Sequence, residues 1–158
     1  MRYIKEVIMP NENLVVYAKT HGFIYAQPAL WALCSIIALI ALYYLGWMNL
    51  WYLSLVPLVP ALYYFIQAWV YSYSTELAVT DKRVIAKFGF IRRQTIELKH
   101  SKVESLQVNQ GIIGRIFNFG SINIIGSGGT TAPIPYIKDP LTFRSAALTQ
   151  EENNQAQD

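Results

Sequence analysis

The sequence predicts a membrane α+β protein: a two-helix apolar hairpin followed by a small antiparallel β module that a C-terminal helix closes. Three observations lead there. Residues 20–75 contain no Asp, Glu, Lys or Arg. A bilayer core of roughly 30 Å takes about 20 apolar helical residues per crossing, and the run divides into spans over 28–46 and 50–71 on either side of Met48-Asn49. Beyond Tyr73 the pattern changes to short apolar runs separated by Gly, Pro and Asp turns, the mark of antiparallel strands, and Asp139-Pro140 then opens a helix.

The hairpin, residues 23–73, is justified by what lipid demands. Backbone N–H and C=O groups must find partners without water, which a helix supplies internally. Aromatic side chains crowd its ends: Tyr25 and Trp31 at the entry, Tyr43, Tyr44, Trp47, Trp51 and Tyr52 around the turn, Trp69, Tyr71 and Tyr73 at the exit. Amphipathic rings collect at head-group level in this way. A soluble core hairpin is the alternative, but the rest of the chain is too short to cover so long an apolar run. Pro57 and Pro60 predict a kink in the second span, since each lacks an amide donor. No ionisable residue accompanies them, so the kink reads as packing and not as a transporter's broken helix. Ser35, Ser54 and Gln67 are candidates for hydrogen bonds between the helices.

Orientation follows from charge. Arg2, Lys5 and Lys19 precede the first span, Lys82, Arg83 and Lys87 follow the second, and the turn between them is uncharged. Cationic flanks stay on the cytoplasmic side, which places both termini at the cytoplasmic face of the inner membrane. Residues 1–22 form an N-terminal cytoplasmic or interfacial segment, with a turn at Pro10 and an apolar run over 14–18 that reads as a strand or an interfacial stretch. A polar segment precedes the apolar run, so insertion is expected through the first span itself and not through a cleaved signal.

The chain has 158 residues and a formal charge of +3. Residues 76–144 carry ten Lys/Arg against five Asp/Glu, whereas 145–158 are net acidic. A basic module beside a membrane is drawn to anionic lipid. Cys34 is the single cysteine, and His21 and His100 are the two histidines. Neither a disulfide framework nor a metal cluster can be built from these. No cofactor and no nucleic-acid partner is expected.

In the module, residues 74–148, strands are expected over 76–80, 83–88, 92–98, 103–108, 121–125 and 131–137. Asp81-Lys82 makes the first turn. Alternation sends Val84, Ala86 and Phe88 to one face, and Arg83, Ile85 and Lys87 to the other. Residues 111–117 read as a compact turn or one helical turn. Pro133 and Pro135 put the last strand at an edge. Asp139 is expected to cap the following helix, Pro140 suits its first position, and Phe143, Ala146 and Ala147 share its inner side. Residues 149–158 are polar and expected to be a disordered tail.

Several stretches in order resemble one family: Thr80-Asp81-Lys82-Arg83-Val84-Ile85, Gly89 with Arg92, Ile96-Glu97-Leu98, Val103-Glu104-Ser105, Gly114-Arg115-Ile116, Phe119-Gly120-Ser121-Ile122, Gly126-Ser127-Gly128-Gly129, and Asp139-Pro140 with Phe143-Arg144. Together they are similar to the bacterial PH-like family of the bacterial PH domain 2 type. Pro10, Glu12 and His21 look like its membrane-associated members. The resemblance implies a PH-like antiparallel sheet with a C-terminal helix and an assembly or scaffolding role, and it does not imply phosphoinositide binding. Asn118 departs from the small residue expected before Phe119.

The chemistry this leaves is one of binding. Gly126 to Gly129 lacks the Lys-Ser/Thr ending of a phosphate loop, and His100-Ser101 is not accompanied by a recognisable acid. No enzyme is expected. The expected function is a membrane-anchored scaffold that self-associates or recruits other membrane proteins. The alternatives are an anionic-lipid sensor using Arg83, Lys87, Arg92 and Arg93, and a small transporter or channel subunit. Ile112 and Ile113, bulky on a turn, mark the expected self-association surface. Unprotected edges at 77–79 and 122–125 add to the expectation of a homo-oligomer.

Overall fold

Alternation along the two strands after the apolar stretch builds the centre of a four-stranded antiparallel sheet, in the order β1 (Leu14–Ala18), β2 (Glu76–Thr80), β3 (Arg83–Phe88), β4 (Gln94–Lys99). The computed structural model describes residue 4 and residues 7–89, 94–127 and 131–155. It divides into two units, Gly22–Tyr71 and the combination of Met1–His21 with Ser72–Asp158.

In the second of these units, β5 (Val103–Asn109), β6 (Phe119–Gly126) and β7 (Thr131–Lys138) form a three-stranded antiparallel sheet in that order. Leu77, Val79, Val84 and Ala86 of the first sheet, Ile122, Ile124, Ile134 and Ile137 of the second, and Phe143 and Ala147 form one buried cluster. The expected alternation holds. Val84 and Ala86 face this cluster with Phe88 packed on it, while Ile85 is buried on the opposite face, where Ile4 N–H donates to the Glu76 carboxylate at 3.3 Å.

The N-terminal run is β1, antiparallel to β2 with Ala18 opposite Leu77. Residues 19–21 then cross to the second sheet. Lys138 N–H donates to Lys19 O at 2.9 Å, Thr20 bridges Ile137, and His21 N–H donates to Tyr136 O at 2.6 Å. β7 is an edge of its three-stranded sheet, as Pro133 and Pro135 predict, and this strap occupies its far end.

One expectation is corrected by the topology. The segments 77–79 and 122–125 are not open edges: β2 lies between β1 and β3, and β6 between β5 and β7. The edge argument for self-association therefore falls away. For 77–79 the reason is the N-terminal strand, whose pairing lies so far along the chain that it leaves no local mark, and 122–125 lies in β6, the centre of its own sheet.

Asp139 and Pro140 open the C-terminal helix, named α4 here (Pro140–Gln155) and packed on β1, β2, β5 and β6. Asp139 O accepts the first helical bond from Phe143 N–H at 3.2 Å, whereas its carboxylate accepts from Asn118 Nδ2. The helix runs past Leu148 to Gln155, so the polar residues expected as a tail form its outer turns through Gln155.

In the other unit, a 3-10 turn over Gly22–Tyr25 leads into α1 (Ala26–Tyr44), and Gly46 turns the chain with a φ of 72°. A 3-10 segment over Met48–Leu55 precedes α2 (Leu58–Ser74). The interruption falls where prolines predicted it. Pro57 has no N–H, and Pro60 cannot donate to residue 56. Ser35 Oγ donates to Ser54 O, and Ser54 Oγ to Trp51 O at 2.6 Å, which ties α1 to the 3-10 segment. Gln67 instead donates along its own helix to the Tyr63 hydroxyl at 2.7 Å. Two helical stretches, Gly22–Tyr44 and Met48–Ser74, are long and apolar enough to cross a membrane by length and composition.

Candidate functional site

The turn between β2 and β3 is a clamp. Thr80 Oγ1 donates to Glu12 Oε1 at 2.7 Å and accepts the Arg83 N–H at 3.1 Å. Arg83 completes it: Nε and Nη2 donate to the two Glu12 oxygens at 2.9 and 2.8 Å, Nη2 also to Val7 O, and Nη1 to Glu97 Oε2 at 2.6 Å. Asp81 accepts from Asn13 N–H and Nδ2. Burial pushes the Glu12 carboxyl up, but bonds from Arg83, Thr80 and the Met9 N–H, with the Arg83 charge, outweigh it and lower it to about 2. On β1, burial first and the Glu76 charge second raise the Tyr17 phenol to about 12.

These contacts bear on the four basic residues expected to face lipid. Arg83 is 14% exposed and ion-paired with two carboxylates, so it binds the N-terminal segment to the sheet. Lys87 stands in register opposite Glu76. Arg92 and Arg93 lie outside the described residues, as do Gly128 and Gly129 of the glycine turn.

His100 is buried, and its Nε2 donates to Thr80 O at 2.8 Å, a structural bond that pins the 3-10 turn before β5 to the end of β2. Among the described residues, no three His, Cys, Asp or Glu side chains come together as a metal-binding group.

A contiguous group of exposed apolar side chains in this unit lies on and just after α3 (Ile112–Ile116), the single helical turn between β5 and β6. Ile112 is 81% exposed, Ile116 72%, and Ile113 and Phe117 just over half. The fold brings together the two predicted residues and adds two that the sequence reading passed over, although spacing by three and four along GIIGRIF signals one surface. Gly114 faces inward, where a Cβ would lie 2.5 Å from Phe119 O. Gln110 Nε2 donates to that same oxygen at 3.1 Å.

Beside α3 stands an aromatic stack. The His21 ring lies 5.1 Å from the Phe119 ring, which in turn stacks on Tyr136 at 6.1 Å. Asn118, Tyr136 and Asp139 hold positive φ values of 55°, 58° and 50°. Asn and Asp tolerate that conformation and Tyr does so rarely; Tyr136 holds it beside the Phe119 ring while 38% exposed. The tolerance of Asn accounts for Asn118 where a small residue was expected. Lys19 and Lys138, both exposed, line one groove with Tyr17, Asp139 and Thr142.

With this geometry in place, the comparison with known proteins is direct. The family model described as "Bacterial PH domain" matches residues 14–150. The chain belongs to the bacterial PH domain family. The match begins at β1 and ends within α4, so the bacterial PH domain here includes the N-terminal strand and the intervening apolar helices. No curated protein matches the chain. Among solved structures, the chain is similar to a DUF1696 family protein with a pleckstrin-homology domain from Shewanella loihica PV-4, over 95% of this chain and 91% of that one, at 7% identity and a TM-score of 0.45.

Proposed function

We propose that this bacterial PH domain protein is a non-enzymatic assembly module anchored in the cytoplasmic membrane, with its helices crossing twice and its PH-like unit recruiting membrane partners or a second copy at the cytoplasmic face. The observation that carries this reading is where the apolar helices enter the fold. They are inserted between β1 and β2, which are neighbours in one sheet, with Ala18 and Leu77 paired at the base of the insertion. A chain that leaves and rejoins a single ladder must cross a membrane an even number of times. The basic flanks favour a cytoplasmic position for that ladder in this reading.

The lipid-sensing alternative rests on a basic strand face, and two observations weaken it: Arg83 is committed to Glu12 and Glu97, and Lys87 is registered opposite Glu76.

The test combines labelling with crosslinking in intact cells. On a Cys34→Ala background, a membrane-impermeant maleimide should modify Asn49→Cys from outside and spare Gln155→Cys. Labelling of Gln155→Cys would overturn the orientation. Mild crosslinking of the same membranes should shift the protein to discrete higher-mass adducts. A single uncrosslinked species at every reagent concentration would remove the assembly role.

A further inference from the structure

Four bulky apolar side chains on α3 and its C-cap are each more than half exposed. We propose that α3 is a foot that enters the membrane surface: Ile112, Ile113, Ile116 and Phe117 sit at the acyl boundary, and Arg115, Lys19 and Lys138 meet anionic head groups around them. The proposal rests on the membrane-anchored reading above and goes beyond it by naming a lipid-contacting surface on the PH-like unit.

The chain tether supplies the first argument. His21 is bonded directly to Gly22, where the first apolar helical stretch begins, and one peptide step spans about 3.8 Å. The His21 ring stacks on Phe119, and Gly114 of α3 lies against the Phe119 carbonyl. One peptide step, one ring stack and one van der Waals contact therefore separate α3 from Gly22, the first residue of the apolar helical stretch. This holds whatever the mutual orientation of the two units.

Chemistry supplies the second. Bulky apolar side chains on one face with cations at its margin make a surface suited to the head-group boundary. Arg115 is exposed within α3 itself. Lys19 and Lys138 are joined through their backbones at 2.9 Å and have no ion pair among the described residues. Asp139, the carboxylate of their groove, accepts from Asn118 Nδ2 and makes no ion pair with either lysine. Cations so placed favour anionic lipid and respond to salt. A second copy is the weaker occupant: a stable interface buries about 800 Å² on each partner, and four side chains on one turn fall well short of that.

The experiment uses the full chain on a Cys34→Ala background, reconstituted in vesicles of phosphatidylcholine with or without phosphatidylglycerol. An environment-sensitive fluorophore is placed at Ile116→Cys, at Leu39→Cys within α1, or at Asn153→Cys on the exposed outer part of α4. The Ile116→Cys probe should shift to the blue and be quenched by lipids carrying a shallow nitroxide, at every protein-to-lipid ratio. The Leu39→Cys probe should be quenched by deep nitroxides and Asn153→Cys by neither. Adding Lys19→Gln and Lys138→Gln should reduce the shallow quenching only where phosphatidylglycerol is present, and an unchanged signal would overturn the head-group contact. A quenched Leu39→Cys probe with a water-exposed Ile116→Cys probe overturns this inference and leaves the anchor standing. An unquenched Leu39→Cys probe overturns both. An Ile116→Cys probe that is shielded but unquenched, and becomes wet as protein is diluted in lipid, assigns the face to a second copy and overturns the proposal.

Discussion

Glu12 decides how the N-terminal segment is held. Its side chain is 1% exposed and its charge is matched by Arg83, the arrangement in which removing one partner leaves an uncompensated buried charge. The carboxyl is lowered from 4.5 to about 2 in the folded state. A depressed folded value contributes stability that is fully present above pH 4.5 and lost as pH falls toward 2, up to about 3 kcal/mol. Hydrogen exchange of the β2 and β3 amides should therefore accelerate as pH drops through that window, after correction for intrinsic rates. Glu12→Gln should show faster exchange already at pH 7 and no further loss in the acid window. Wild-type protection at pH 7 in that variant would mean the clamp contributes nothing. Arg83 shows why such a site is only half legible in sequence. Its charge and its strand position were plain, but Glu12 Oε1 meets its Nε across a separation of 71 residues, and nothing local announces the partner. A basic residue on an alternating strand reads as a free cation until the acid that covers it is known.

Elements were legible wherever the pattern was local. Alternation located the strands, Asp139-Pro140 the start of α4, and Pro57 the break before α2. What stayed open or escaped depended on tertiary support. Leu14-Val15-Val16-Tyr17-Ala18 has no period of its own and reads as a strand, one that could join the sheet, or as an interfacial stretch; pairing with β2 makes it β1. Residues past Leu148 are polar, and α4 nonetheless continues to Gln155. The stretch 111–117 reads as a compact turn or one helical turn, and α3 is the latter; how closely it sits on β6 depends on Gly114. A Cβ there would meet a backbone oxygen at 2.5 Å, and the strand that carries this oxygen cannot shift cheaply. Gly114→Ala should cost about 1–3 kcal/mol by overpacking and displace Phe119 from His21, visible as changed near-ultraviolet dichroism. At Gly111, φ is −69° and a Cβ would meet nothing within 4 Å, so Gly111→Ala is the control. Equal losses in the two variants would show that the close approach at Gly114 is not what fixes α3.

At the scale of the whole molecule, the sequence reads as a hairpin followed by a module, whereas the pairing of Ala18 with Leu77 makes the hairpin an insertion within the module's own sheet. Met1–His21 and Ser72–Asp158 fold together as one unit although Gly22–Tyr71 separates them along the chain. If the inserted part only tethers, β1 and β2 need no more than a short connection to pair. Replacing Gly22–Tyr71 with about eight Gly/Ser residues gives a linker reaching up to about 26 Å, and shortening the loop lowers its closure entropy by roughly 1–2 kcal/mol. Ile112→Ser and Ile116→Ser added to that chain remove most of the exposed apolar surface on α3. The product should dissolve without detergent, melt cooperatively, and protect the amides of Val16 and Ala18 from exchange. A soluble chain that protects β3 but not β1 would show that the β1–β2 ladder depends on the hairpin holding its ends together. In that case the apolar helices would be a structural part of the PH-like sheet as well as its tether.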